Sequence, residues 1–149
     1  MTENEKYERI YGDYFNSIQN IINRMAQNSF YLKAWTITLI TGILVLTFSI
    51  LNIIIFGTLL GISLFFWVLD SYYLKLERLF RRLYNQKVKE YNNEQERKNM
   101  LLFDMNIKPF EDFEKQGIRI MISKSEFLFY FPISLIIAIL LIYSLVVIL

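Results

Sequence analysis

Ala34 to Leu69 reads AWTITLITGILVLTFSILNIIIFGTLLGISLFFWVL, thirty-six residues without a charged side chain. As one helix rising about 1.5 Å per residue the run would be roughly 54 Å long, far beyond a bilayer hydrocarbon core of about 30 Å. It is therefore expected to fold back on itself. Asn52 is the expected fold point, because it carries the only amide side chain in the run and lies beside the midpoint between Trp35 and Trp67. Two antiparallel spans, about 34–50 and 53–69, then bring both indoles to one interface, where tryptophan is enriched.

A second uncharged run, Phe127 to Leu149, holds twenty-three residues and reaches about 35 Å as a helix, which makes it a third predicted span. Ser123 and Glu126 have the spacing of a capping box in front of it. Pro132 is expected to kink it, near an aromatic girdle of Phe127, Phe129, Tyr130 and Phe131. The predicted fold class is an all-α membrane protein with three transmembrane helices, a tight hairpin plus a C-terminal span, carrying long amphipathic cytosolic helices. Its segments are 1–33 (cytosolic helix), 34–69 (hairpin), 70–126 (stem helix and loop) and 127–149 (last span). Four Lys and Arg residues precede Ala34 and the other twelve lie between Asp70 and Glu126. By the preference of basic loops for the cytosol, the N-terminus lies inside a bacterial cytoplasmic (inner) membrane and the C-terminus outside.

Composition narrows the functional classes. A hydrophobic fraction of 54% and a mean hydropathy of +0.32 suit a small membrane protein, and a net charge of +2 gives no reason to expect a nucleic-acid partner. Cysteine and histidine are both absent, removing thiolate sites, the commonest general base and a common metal ligand. No catalytic, metal-binding or cofactor-binding set is expected, and the protein is not expected to be an enzyme. Glu3, Glu5, Lys6, Glu8 and Arg9 argue against a cleavable signal peptide, so the first span is expected to direct insertion.

Outside the apolar runs the pattern is helical. Tyr7, Tyr11, Tyr14, Ile18, Ile21 and Met25 recur at spacings of four and three, widened by Ile10, Phe15 and Ile22, with Arg9, Asp13, Asn20 and Arg24 opposite. Such a helix packs on its own chain or a neighbouring copy, or lies in the membrane interface. Asn28 and Ser29 offer a cap or bend where it meets the first span. After the hairpin, Tyr73, Leu76, Phe80, Leu83, Tyr84, Val88 and Tyr91 continue a helical stem, and Glu77 and Arg81 have the favourable i, i+4 spacing. Arg78, Arg81 and Arg82 form an interface basic cluster, either a solvated face that orients the spans or a site for anionic headgroups. Met100–Phe103 and Ile107–Phe113 are apolar enough to dock on the stem as short helices.

Within the hairpin, Gly57 and Gly61 form a GxxxG pair that permits close helix packing, inside the hairpin or between subunits. Thr38 and Thr41, with Asn52, are the candidate pore lining. The competing reading satisfies the threonine hydroxyls on their own helix.

Asn28-Ser29-Phe30, Leu32-Lys33-Ala34-Trp35, the run Phe66-Trp67-Val68-Leu69-Asp70-Ser71-Tyr72-Tyr73-Leu74, Glu77-Arg78-Leu79-Phe80-Arg81-Arg82-Leu83-Tyr84 and Phe103-Asp104-Met105 resemble a family of small, largely uncharacterised bacterial multi-pass membrane proteins. In layout the chain is also similar to the two-pass SLATT-type membrane effectors of bacterial conflict systems, from which its third span departs. The resemblance implies a homo-oligomeric inner-membrane effector of an antiviral or toxin-like system that permeabilises the bilayer. The other expectation is an anchoring membrane protein that recruits a cytosolic partner.

Overall fold

The computed structural model describes residues 3–47, 52–113 and 117–148, among which every regular element is helical. The helices are α1 (Glu3–Leu46), α2 (Ile53–Asn92), α3 (Glu94–Arg97), a 3-10 turn (Lys108–Phe113), α4 (Gly117–Met121) and α5 (Lys124–Ile148). Three of them, α1, α2 and α5, contain stretches long and apolar enough to cross a membrane.

Two boundaries differ from the sequence reading. Helix α1 runs without a break through Asn28 and Ser29, because no glycine or proline stands between Gly12 and Gly42; Ser29 Oγ accepts a hydrogen bond from Lys33 Nζ at 3.0 Å instead of capping a new helix. At the other end, α1 stops at Leu46, and Asn52 opens α2 by accepting the Ile54 N–H on its side-chain oxygen at 2.9 Å. The expected end of the first span at Ile50 lies outside the described residues.

The chain divides into two units. One comprises the described residues of Met1–Gln27 and Leu74–Lys115. Tyr14, Ile18, Ile22 and Leu83 form its buried core, against which Phe80, Tyr84, Met100, Leu102, Met105, Ile107 and Phe110 pack. The N-terminal amphipathic seam thus packs on its own chain, while Arg9, Asp13, Asn20 and Arg24 face outward. The segment before the 3-10 turn docks as expected but is not helical. Asp104 and Asn106 each turn their side-chain oxygen onto the backbone N–H two residues on, at 3.0 and 3.1 Å, and Tyr14 Oη donates to the Asp104 carbonyl at 2.6 Å. Burial, with the Asp104 carboxylate second, pushes the Tyr14 phenol up to about 12, so it remains a donor at physiological pH. Phe103 adopts a left-handed φ of 60°, which its ring contact with Tyr14 at 5.5 Å and the adjacent Tyr14–Asp104 bond help to hold.

Gly12 lies inside α1, and a Cβ there would meet nothing within 4 Å. Gly12→Ala is therefore expected to stabilise this unit by about 0.5–1 kcal/mol through helix propensity alone, read as a raised thermal midpoint.

The other unit comprises the described residues of Asn28–Tyr73 and Gln116–Leu149, and holds all three apolar stretches. Ile40 of α1, Phe56 and Leu59 of α2 and Ile137 of α5 form its core, so each helix buries one stripe and leaves the rest of its apolar surface exposed. Exposed residues include Ile37, Val45, Ile54, Phe65, Leu135, Ile139 and Ile142, a distribution suited to a hydrocarbon solvent rather than water. Ser63 and Ser134 share a buried hydrogen bond of 2.9 Å across α2 and α5. Helix α5 continues through Pro132, although the ring removes one helical N–H donor.

Candidate functional site

Lys33, Asp70 and Glu126 are the charged residues that bound the two uncharged runs. In the sequence they are separated by 37 and 93 residues from Lys33; in the fold they meet in one cluster. Lys33 Nζ on α1 bonds Asp70 Oδ2 on α2, and bonds Glu126 Oε1 on α5 at 3.0 Å. Tyr130, one turn beyond Glu126, donates its hydroxyl to Asp70 Oδ2 at 3.0 Å. The side chains of Asp70 and Glu126 are 0% and 1% exposed, and that of Lys33 20%. Each apolar helix therefore supplies one charge to a nearly dry site.

Aromatic groups close the surroundings. The Trp67 ring stacks on Tyr130 with centroids 6.0 Å apart and donates its indole N–H to the Met121 carbonyl at 3.1 Å. The Lys33 ammonium lies 5.9 Å from the centroids of both Phe129 and Tyr130, within range of a cation–π attraction. Trp35, by contrast, is exposed. Of the two indoles expected at the membrane boundary, one is built into the cluster and the other faces outward.

Donors and acceptors do not balance here. Asp70 Oδ1 and Glu126 Oε2 are both buried without a hydrogen-bond partner among the described residues. Buried carboxylate oxygens are normally satisfied, because leaving one unpaired forfeits its hydration without return. With all three groups ionised the site would also carry one net negative charge. A buried cluster with unpaired oxygens and two carboxylates to one ammonium is sensitive to the loss of any one member.

Glu126 reaches this position at the expense of the expected capping box. The Ser123 N–H bonds the Ile120 carbonyl at 2.9 Å, Ser123 Oγ has no hydrogen-bond partner among the described residues, and the Glu126 carboxylate turns inward to Lys33. A charge-assisted bond in a buried site outweighs the weaker reach-back to a helix N-terminus. The spacing Ser-x-x-Glu was the stronger local signal; the better guide was that the residues bounding the apolar runs carry opposite charges.

The residues singled out from sequence are placed elsewhere. Gly57 and Gly61 are exposed, and a Cβ at either would meet nothing within 4 Å, so the pair does not serve packing inside the hairpin among the described residues. Thr38 Oγ1 donates to the Ala34 carbonyl at 2.9 Å, and Thr41 Oγ1 to that of Ile37; both residues face outward. Asn52 is engaged as the α2 cap, and no hydrogen bond joins it to either threonine among the described residues. Arg81 Nε donates to Glu77 at 2.8 Å, the i, i+4 pair expected of the stem, while Arg78 is half-buried and Arg82 exposed. No family model, curated protein or solved structure matches this chain.

Proposed function

We propose that this chain is a homo-oligomeric effector of a bacterial inner membrane, of an antiviral or toxin-like kind, in which the Lys33–Asp70–Glu126 cluster latches three transmembrane helices and whose opening makes the bilayer leaky. The observation that carries the reading is that α1, α2 and α5 each contribute one charge to a single buried cluster. An ion cluster of this kind favours one helix arrangement only while complete, which is the property a two-state element requires. Association is supported by the open Gly57–Gly61 face, where a second helix can approach closely. The threonines contribute less, since their hydroxyls are spent on their own helix.

An anchoring role is the second reading. It is favoured by Leu101 and Phe103, large apolar side chains exposed beside a strained turn in the polar unit, which suit a protein partner.

Induced expression in bacteria carrying a membrane-potential dye separates the two. Depolarisation is expected for the unaltered chain. Replacing Gly57 and Gly61 together with leucine should reduce both crosslinked oligomers and depolarisation while leaving the inserted amount unchanged, since leucine favours insertion. An intact potential at full expression of the unaltered chain would decide for anchoring.

A further inference from the structure

Charge and hydrogen bonding both fail to balance in the cluster. There are two carboxylates for one ammonium, and two buried carboxylate oxygens, Asp70 Oδ1 and Glu126 Oε2, without a donor. The remaining oxygens are well served: Asp70 Oδ2 accepts from both Lys33 and Tyr130, and Glu126 Oε1 accepts from Lys33. Lys33 Nζ holds Asp70 Oδ2 and Glu126 Oε1 together, which keeps those two oxygens within about 6 Å of each other. A single proton added to the pair removes the excess charge and supplies a donor that the unpaired oxygens lack.

We propose that the Asp70–Glu126 pair is a proton-binding site, with one proton held by the two carboxylates. Glu126 is the carrier, since its carboxylate receives one donor where that of Asp70 receives two. The groups that face the pair are Lys33 from α1, Tyr130 from α5 and the carboxylates themselves; no other cationic side chain bonds to either carboxylate among the described residues. The proton exchanges with water, and the accessible edge of the cluster is the Lys33 side chain. Its loss leaves a net negative charge between three apolar helices. The assignment stands on the cluster's geometry and does not rest on permeabilisation.

Infrared spectroscopy of the full chain in lipid vesicles reads this directly through the C=O stretch of a protonated carboxyl group. One such band is expected near neutral pH, shifted by deuterium exchange, removed by alkali and restored by acid. Glu126→Gln and Asp70→Asn should each abolish it, because one carboxylate then balances one ammonium. Lys33→Met should double it. Retained helical circular dichroism shows that each variant folds, and should Asp70→Asn fail to fold, Glu126→Gln decides alone, since its amide copies the shape of the protonated acid. Absence of the band in the unaltered protein, or its persistence in folded Glu126→Gln, overturns the proposal. Loss of the band on adding sodium or potassium ions at fixed pH overturns it too, by making the site one for a metal cation.

Discussion

Lys33→Met is expected to lower the unfolding free energy of the apolar unit by about 3–5 kcal/mol, because it leaves the buried Asp70–Glu126 pair without the Lys33 ammonium. A fifth of the Lys33 side chain is accessible, which places the loss nearer the smaller figure. Denaturation in detergent micelles followed by circular dichroism measures it. The loss should shrink on acidification. In this variant the folded state binds more protons than the unfolded chain, so stability falls as pH rises and returns as it drops into the carboxyl range. Replacing all three charges, in Lys33→Met with Asp70→Asn and Glu126→Gln, should recover most of the stability, because a neutral set has no desolvated charge to leave unpaired. A single Lys33→Met chain as stable as the parent would show that the cluster does not hold the helices.

The second large effect belongs to the polar unit. Leu83 is 2% exposed within a core shared with Tyr14, Ile18 and Ile22, so Leu83→Ala should destabilise that unit by about 2–5 kcal/mol through lost burial and the cavity left behind. Met100, Leu102, Met105, Ile107 and Phe110 pack against this core, and the consequence should appear there. Limited proteolysis is expected to cut between Glu94 and Phe113 many times faster in the variant, while fragments carrying the apolar stretches stay protected in vesicles. Equal cutting rates would mean that the segment is held by its own turns, such as those at Asp104 and Asn106.

Much of the architecture was legible in the chain because it depends on local pattern. Thirty-six uncharged residues cannot span a bilayer once as a straight helix, and the 3.6-residue periodicity before and after them announces helices with one apolar face. The break assigned to Asn28 and Ser29 failed for a related reason: both residues favour caps, yet either can remain inside a helix when no stronger breaker stands beside it. The capping box at Ser123 and Glu126 failed because a local hydrogen bond competed with a distant charge that no local window contains.

What the sequence alone determined was the position of Lys33, Asp70 and Glu126 at the edges of uncharged runs, since charge is excluded from apolar segments wherever it is not needed. Only the tertiary structure decided that these edges coincide. Burial of Ile40, Phe56, Leu59 and Ile137 against one another fixes the register of the three helices, and that register puts a lysine between two carboxylates with Tyr130 beside them. The direction in which Gly57, Gly61, Thr38 and Thr41 face was likewise settled by packing, because a periodic stripe states which residues share a side of a helix but not which side the neighbouring helix takes.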